Sequence, residues 1–241
     1  YTKGLAFRMK EGQSVIVSGN ISVYERDGKY QMYAMSVTQD GVGKLYEEYE
    51  NLKKRLLAEG LFDDSKKKKI PRFAQKIGVV TAQTGAVIQD IRNVSNRRNP
   101  YVQLLLYPAL VQGEGAAASI VKGIQMLDEA GVDVIIVGRG GGSMEDLWAF
   151  NDERVARAIY ESELPVISAV GHEPDVTISD FVADVRASTP SNAAEIAVPD
   201  AVELAAQLSG ARAHMLQVLR QSLQLRRQTL QTFSESRILR N

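Results

Sequence analysis

Two groups of residues in this chain have the types and spacing to do chemistry. One is an arginine set among glycines, Gly138-Arg139-Gly140-Gly141-Gly142-Ser143, and the other is a histidine followed by acids, Gly171-His172-Glu173-Pro174-Asp175. Glycines let a backbone approach a ligand closely, free N–H groups at a helix start favour an anion such as phosphate, and a guanidinium adds a planar set of donors. Histidine exchanges protons near neutral pH, and a neighbouring carboxylate holds its ring and raises its basicity. The pair of motifs therefore suits gripping an anion and moving a proton beside it. Each motif also has a plainer reading. The glycine loop serves equally well as a tight strand-to-helix turn with Arg139 in water, and residues 171–175 as a polar surface loop. His172 is one of 2 histidines and follows an apolar segment at the position where α/β proteins build sites, which favours the functional reading.

The elements that must position these groups are legible around them. Residues 134–137 form a continuous apolar, β-branched run, as expected of a strand buried on both faces in a parallel sheet. Ser143 with Asp146 has the form of a capping box, which sets the glycines between a strand's carboxyl end and a helix start. Residues 164–170 read as a neighbouring strand, which brings His172 and Asp175 to the same sheet edge as Arg139. A further strand at 76–81 leads into a helix through Arg97, with Thr84 as its expected N-cap and Asp90 between its first and second turns. Taken alone, Asp90 reads as a solvent-facing helix acid. Arg97 and Arg98 close that helix, where cations offset the dipole, and they are also candidates to touch phosphates. The glycine loop departs from nucleotide-binding fingerprints. Ser143 stands where the dinucleotide pattern wants glycine or alanine, and the chain contains no Gly-Lys-Ser/Thr of a phosphate-binding P-loop.

The rest of the chain gives the frame. Residues 13–37 alternate like antiparallel strands around an Arg26-Asp27-Gly28 turn, too little sheet to stand alone and so expected to be part of a small barrel. Tyr24, Tyr30 and Tyr33 are of a type that stacks on bases, but packing across the strands ranks first. Residues 45–57 read as a helix leading to strands near 76–81, 102–107, 132–137 and 165–170 separated by helical segments, the signature of a parallel sheet with right-handed crossovers. From residue 201 the sequence is helical. Leu216, Leu219, Leu223, Leu230 and Phe233 repeat on a heptad that Arg226 interrupts, the start of a coiled coil or else one amphipathic helix lying on the core. His214 falls in this helix and reads as surface.

Composition narrows the classes. With 241 residues, 29 basic and 29 acidic, the formal net charge is zero, so any affinity for nucleic acid must come from a local patch. Lys66-Lys67-Lys68-Lys69 is the obvious basic run, and a solvated linker is its first reading. The absence of cysteine excludes disulfides, thiolate metal sites and a cysteine nucleophile, and fits the cytoplasm. No apolar run reaches membrane-spanning length, and residues 1–8 lack the plan of a signal peptide.

Taken in order, the motifs resemble a known family. Gly28-Lys29-Tyr30-Gln31-Met32, Glu59-Gly60-Leu61-Phe62, Thr84-Gly85-Ala86 with Asp90, Val111-Gln112-Gly113, the Gly138 to Ser143 loop, Gly171-His172-Glu173 with Asp175, and Thr189-Pro190-Ser191 resemble the large subunit of bacterial exodeoxyribonuclease VII along nearly the whole chain. Ala82, Val87, Ser188 and Asn192 depart from the family's usual residues, and none of these changes removes a titratable candidate. The resemblance implies an α/β fold: a parallel sheet flanked by helices, with a partial antiparallel OB-fold-like region at the amino terminus and a coiled-coil helix at the carboxyl terminus. It divides the chain into a partial OB-fold for single-stranded DNA over 1–41, a helical linker over 42–70, a catalytic domain over 71–200 and the start of a coiled coil over 201–241. It also implies that the chain is a fragment, with the front of the OB-fold and most of the coiled coil outside it.

The implied activity is cleavage of single-stranded DNA from either end into oligonucleotides, with small subunits gathered on the coiled coil. By the same match Asp90, Arg139, His172 and Asp175 form the catalytic set, with Thr84, Gly140, Gly141, Gly142, Ser143, Arg97 and Arg98 as phosphate-binding candidates. Asp90, His172 and Asp175 are together able to ligate Mg²⁺, and the same residues suit a metal-free mechanism equally, so metal dependence stays open. Two other classes compete with this reading: a non-catalytic DNA-binding or scaffold module, and a nucleotide- or sugar-phosphate-binding α/β enzyme.

Overall fold

The computed structural model describes residues 15–24, 29–39, 41–140, 144–171 and 176–235. The chain divides into two compact units, Tyr1–Lys66 and Lys67–Asn241.

In the first unit, strands β1 (Val15–Tyr24) and β2 (Lys29–Gln39) pair antiparallel. The expected turn at 26–28 lies outside the described residues. The register shifts between Ser18 and Gly19, and a Cβ added at Gly19 would collide with the Tyr33 carbonyl, so the irregularity depends on that glycine. Tyr30 and Tyr33 stand opposite Val23 and Asn20 across the strands and remain 81% and 56% exposed. Helix α1 (Gly41–Ala58) follows, longer at its start than the predicted 45–57, and then a 3₁₀ turn at Asp64–Lys66.

The second unit is a parallel α/β sheet. Its elements run β3 (Lys76–Thr81), α2 (Ala86–Arg98), β4 (Gln103–Pro108), α3 (Ala116–Glu129) and β5 (Val134–Gly138). After these come α4 (Glu153–Glu161), β6 (Val166–Ala169), α5 (Ile178–Val182), β7 (Val185–Arg186), α6 (Pro190–Ala197) and α7 (Ala201–Glu235). The strand order is β4-β3-β5-β6-β7, and all four pairings are parallel. The four strands expected from apolar runs are present within two residues of their predicted limits. The fifth, β7, is a two-residue edge strand too short to leave a periodic signal.

Side chains alternate between two covered faces, as strands of period two require. Ile77, Val79, Val134, Ile136, Ile167 and Ala169 point into one core shared with Val87, Ile91 and Val94 of α2 and with Ala193, Ala194 and Ala197 of α6. The opposite face carries Gly78 and Val80, which meet α3. An added Cβ at Gly78 would come within 2.9 Å of Leu127, and one at Gly123 within 2.7 Å of Tyr107 and 2.9 Å of Val80. Both glycines therefore let α3 lie close on the sheet.

Carboxylates secure the amino edge of the sheet. Asp133 accepts the N–H groups of Gln75 and Lys76 at 2.7 and 2.8 Å, and Asp184 accepts those of Lys68 and Val166, each at 2.7 Å. The Lys68 ammonium also lies 3.6 Å from Asp184. The lysine run is thus tied down at Lys68 and, through the Lys66 ammonium on the Gly60 carbonyl at 3.5 Å, at Lys66, instead of being wholly solvated. Helix α7 has no buried residue, and Leu216, Leu219, Leu223, Leu230 and Phe233 are 44–69% exposed, so the alternative of an amphipathic helix lying on the core is not what forms.

Candidate active site

The carboxyl ends of β3 and β5 make a topological switch point. From β3 the chain crosses through α2 on one face to β4, and from β4 it crosses through α3 on the other face to β5, so the two crossovers diverge between adjacent strands. A crevice opens where such connections part, and ligands of doubly wound sheets bind there. The segment 82–85, the first turn of α2 and the Gly138–Arg139–Gly140 loop all belong to that edge.

Packing brings the glycine loop against the start of α2. A Cβ at Gly138 would lie 3.2 Å from the Ala169 carbonyl oxygen and 3.6 Å from Val87, and one at Gly140 would lie 3.5 Å from Val87. Helix α2 begins at Ala86 with Gly85 as its N-cap, so Thr84 does not cap it as expected. Gly85 has φ 148° and ψ 174°, a region essentially closed to other residues, and the backbone turns into the helix there with no side chain to occupy its first N–H groups. Thr84 is exposed in the same segment. Asp90 is exposed on α2, three residues after Val87, hence about one turn from the loop contact and rotated about 60° from it.

Arg139 is 2% exposed. Its N–H donates to the Ala169 carbonyl at 3.3 Å, which extends the β5–β6 ladder past Gly138, and its Nε donates to the Gly140 carbonyl at 2.8 Å. The guanidinium is thus held by its own loop and is not the water-facing side chain of the plainer reading. The segment after the glycines also differs from expectation. Met144–Asn151 is a 3₁₀ helix, and the α-helix starts only at Glu153, capped by Asp152. Asp152 accepts the Arg154 N–H at 2.8 Å and two guanidinium bonds at 3.0 and 2.7 Å, and the Arg154 side chain holds its carboxyl below the ordinary value. Gly141, Gly142 and Ser143 lie outside the described residues, as do His172 and Asp175, which follow the buried Gly171 at the end of β6.

Arg97 and Arg98 sit at the other end of α2, about 20 Å along a 13-residue helix from the glycine loop. Arg97 lies 3.8 Å from Glu195. Arg98 lies 3.9 Å from Asp200 and donates to the Val198 carbonyl at 3.1 Å. The fold does not bring them to the Arg139 crevice, and α6 with the chain after it supplies their partners.

Other polar residues beside the crevice escaped the sequence reading. Asp180 is 4% exposed and accepts the Ser168 hydroxyl at 2.6 Å and the Thr177 N–H and hydroxyl at 2.8 Å each, closing a capping box at the start of α5. Asn151 accepts the Ile178 N–H at 2.8 Å, and Ser179 donates to the Phe150 carbonyl at 2.7 Å. The chain re-entering after residue 175 is therefore anchored to both β6 and the 3₁₀ helix. The Thr177-x-x-Asp180 spacing was the available sequence signal. Among the described residues no group of three His, Asp or Glu side chains is arranged to hold a metal ion, and none of the described helices is long and apolar enough to cross a membrane.

Comparisons with known proteins agree with this architecture. A family model described as "Exonuclease VII, large subunit" matches residues 61–240, and one described as "OB-fold nucleic acid binding domain" matches residues 1–38. The exodeoxyribonuclease 7 large subunit of Lachnoclostridium phytofermentans is 60% identical over 231 residues, 96% of this chain and 58% of that protein. That of Bacillus subtilis (strain 168) is 53% identical over 233 residues, 96% and 52% respectively. That of Brevibacillus brevis is 51% identical over 241 residues, 100% and 52%. The chain spans about half the length of the curated relatives it matches. On the extent of the family match and the identity to these relatives along the chain, the chain belongs to the exonuclease VII large-subunit family.

Proposed function

We propose that this chain carries the catalytic part of an exodeoxyribonuclease VII large subunit, hydrolysing phosphodiester bonds of single-stranded DNA from both ends to give oligonucleotides. The observation that carries the reading is a buried arginine in a glycine loop at the sheet's switch point, packed on the uncapped start of α2, in a chain whose relatives are named exodeoxyribonucleases. Phosphodiester hydrolysis needs negative charge neutralised on the phosphoryl oxygens, a water aimed in line and a proton for the departing sugar oxygen. Arg139 and the N–H groups of residues 140–143, together with Thr84, hold the phosphate. His172 serves as general base or acid, oriented by Asp175, and Asp90 positions the water. Asp90, His172 and Asp175 are the groups that would hold Mg²⁺ if the reaction uses it, and the roles of the chain's own residues stand without it.

Around this centre the chain divides into a partial OB-fold over 1–41 that binds single-stranded DNA, a helical linker over 42–70, the catalytic domain over 71–200 and the start of a coiled coil over 201–241. The exposed tyrosines of β2 support the first assignment, and the heptad leucines of α7 support docking of small subunits on the last. A cytoplasmic location fits a cysteine-free enzyme of DNA catabolism.

The test is a labelled single-stranded oligonucleotide incubated with wild type and with His172→Ala, each with and without chelator. Loss of a general acid or base lowers the rate by about 10²- to 10⁴-fold. Equal cleavage by both proteins removes His172 from the mechanism, and no cleavage by wild type removes the nuclease reading.

A further inference from the structure

Arg186, on edge strand β7, has its Nε and Nη2 buried without a hydrogen-bond acceptor among the described residues. A guanidinium stays charged under all ordinary conditions, and leaving its donors unmet away from water is unfavourable. Such an atom set in a native fold calls for an explanation.

Its position supplies one. Val80 pairs with Val137, Val137 with Ser168, and Ser168 with Arg186, so these four residues form one row across the sheet and share a face. The Ser168 hydroxyl bonds to Asp180 of α5, which identifies that face. Asp180 is the acid bonded on that face, and its two oxygens are already engaged by Ser168 and Thr177. Arg139 repeats the bonding of Ile135, the N–H of each reaching the β6 strand four residues apart, and therefore continues the same facing two residues beyond Val137. Strand spacing and rise put the Arg139 and Arg186 backbones roughly 12 Å apart, a gap that two arginine side chains bridge onto one diester. Strand β6 lies between them.

We infer that Arg186 is a second phosphate-binding residue of the site, holding the DNA backbone from the β7 side while Arg139 holds it from the β5 side. The inference rests on the nuclease reading. An anionic backbone threading the crevice supplies the acceptors that Arg186 lacks among the described residues.

The test uses Arg186→Met and Arg186→Lys in the complete protein assembled with its small subunit. Cleavage of a labelled single-stranded oligonucleotide gives kcat and KM, and binding is measured over a salt series alongside Tm. Arg186→Met should lower kcat/KM by about 10- to 100-fold, the loss expected for a charge-assisted contact. It should also flatten the slope of log K against log salt by about 0.7, one phosphate contact on a single strand. Its Tm should stay level or rise, because an unmet buried charge is replaced by a thioether, and Arg186→Lys should recover part of the activity. Wild-type cleavage, binding slope and rate unchanged within about threefold in Arg186→Met overturn this assignment and leave the nuclease reading standing. A Tm lowered by several degrees, with activity lost in proportion, makes Arg186 a structural residue. Absence of cleavage by wild type overturns both readings.

Discussion

Replacing Arg139 by alanine separates a phosphate-gripping loop from a merely structural one. In the fold, Arg139 is 2% exposed and its Nε donates to the Gly140 carbonyl at 2.8 Å, so the substitution removes at least that bond and some packing. Those losses are partly offset by taking a charge out of a buried site. The net stability change should be about 1 kcal/mol, a Tm shift of roughly 2–4 °C for a unit of this size. The kinetic effect should be far larger. A preorganised donor aimed at developing charge in a water-poor site is worth about 10²–10³ in rate, and charge-assisted bonds of about 1.5–3 kcal/mol each give the same order. Arg139→Lys keeps the charge but loses the planar fork and the Nε donor, so it should fall between alanine and wild type. The assay is single-turnover cleavage of an end-labelled single-stranded oligonucleotide with enzyme in excess, which removes product release from the measurement. A rate for Arg139→Ala within about threefold of wild type would refute the role given to the loop. So would a Tm loss large enough to account for the missing activity.

Two further predictions concern the supports of the site. Gly85→Ala forces a side chain onto φ 148° at the start of α2, and should cost about 1–3 kcal/mol in chemical denaturation while lowering cleavage; an unchanged midpoint would show that the turn relaxes without strain. Asp152 caps α4 and is bonded by Arg154, which depresses its pKa, so its contribution is fully present above the ordinary carboxylate value of about 4 and is lost as pH falls through the depressed value. Asp152→Ala should therefore be less stable than wild type by about 1 kcal/mol at neutral pH, with the gap closing only in strong acid; a gap independent of pH would assign the effect to packing.

Much of the fold is written locally. The β-branched runs at 76–81 and 134–137 can scarcely form anything but buried strands, and the order of strands and helices then forces a parallel sheet whose carboxyl edge holds the Arg139 loop. The family motifs identified the chain from residue order alone. Short-range chemistry was less secure wherever two neighbours competed for one role. Thr84 has the better capping side chain, but the backbone turn into α2 demands a conformation that only Gly85 adopts. Ser143 with Asp146 marked a helix start, and the helix that follows is a 3₁₀ helix bonded to α5 through Phe150 and Asn151, with the α-helix delayed to Glu153.

What the linear order determined, then, was which elements exist and what chemistry their residue types allow, because periodicity and charge act between near neighbours. Only tertiary packing decided which of those residues meet. Arg97 and Arg98 share a helix with Asp90 but lie at its far end, bound to α6 and the chain that follows. Arg186 carries no motif of its own and joins the site region because β7 pairs with β6 in register with Ser168. Burial and the loss of hydrogen-bond partners are properties of neighbours distant in sequence, and no local pattern encodes them.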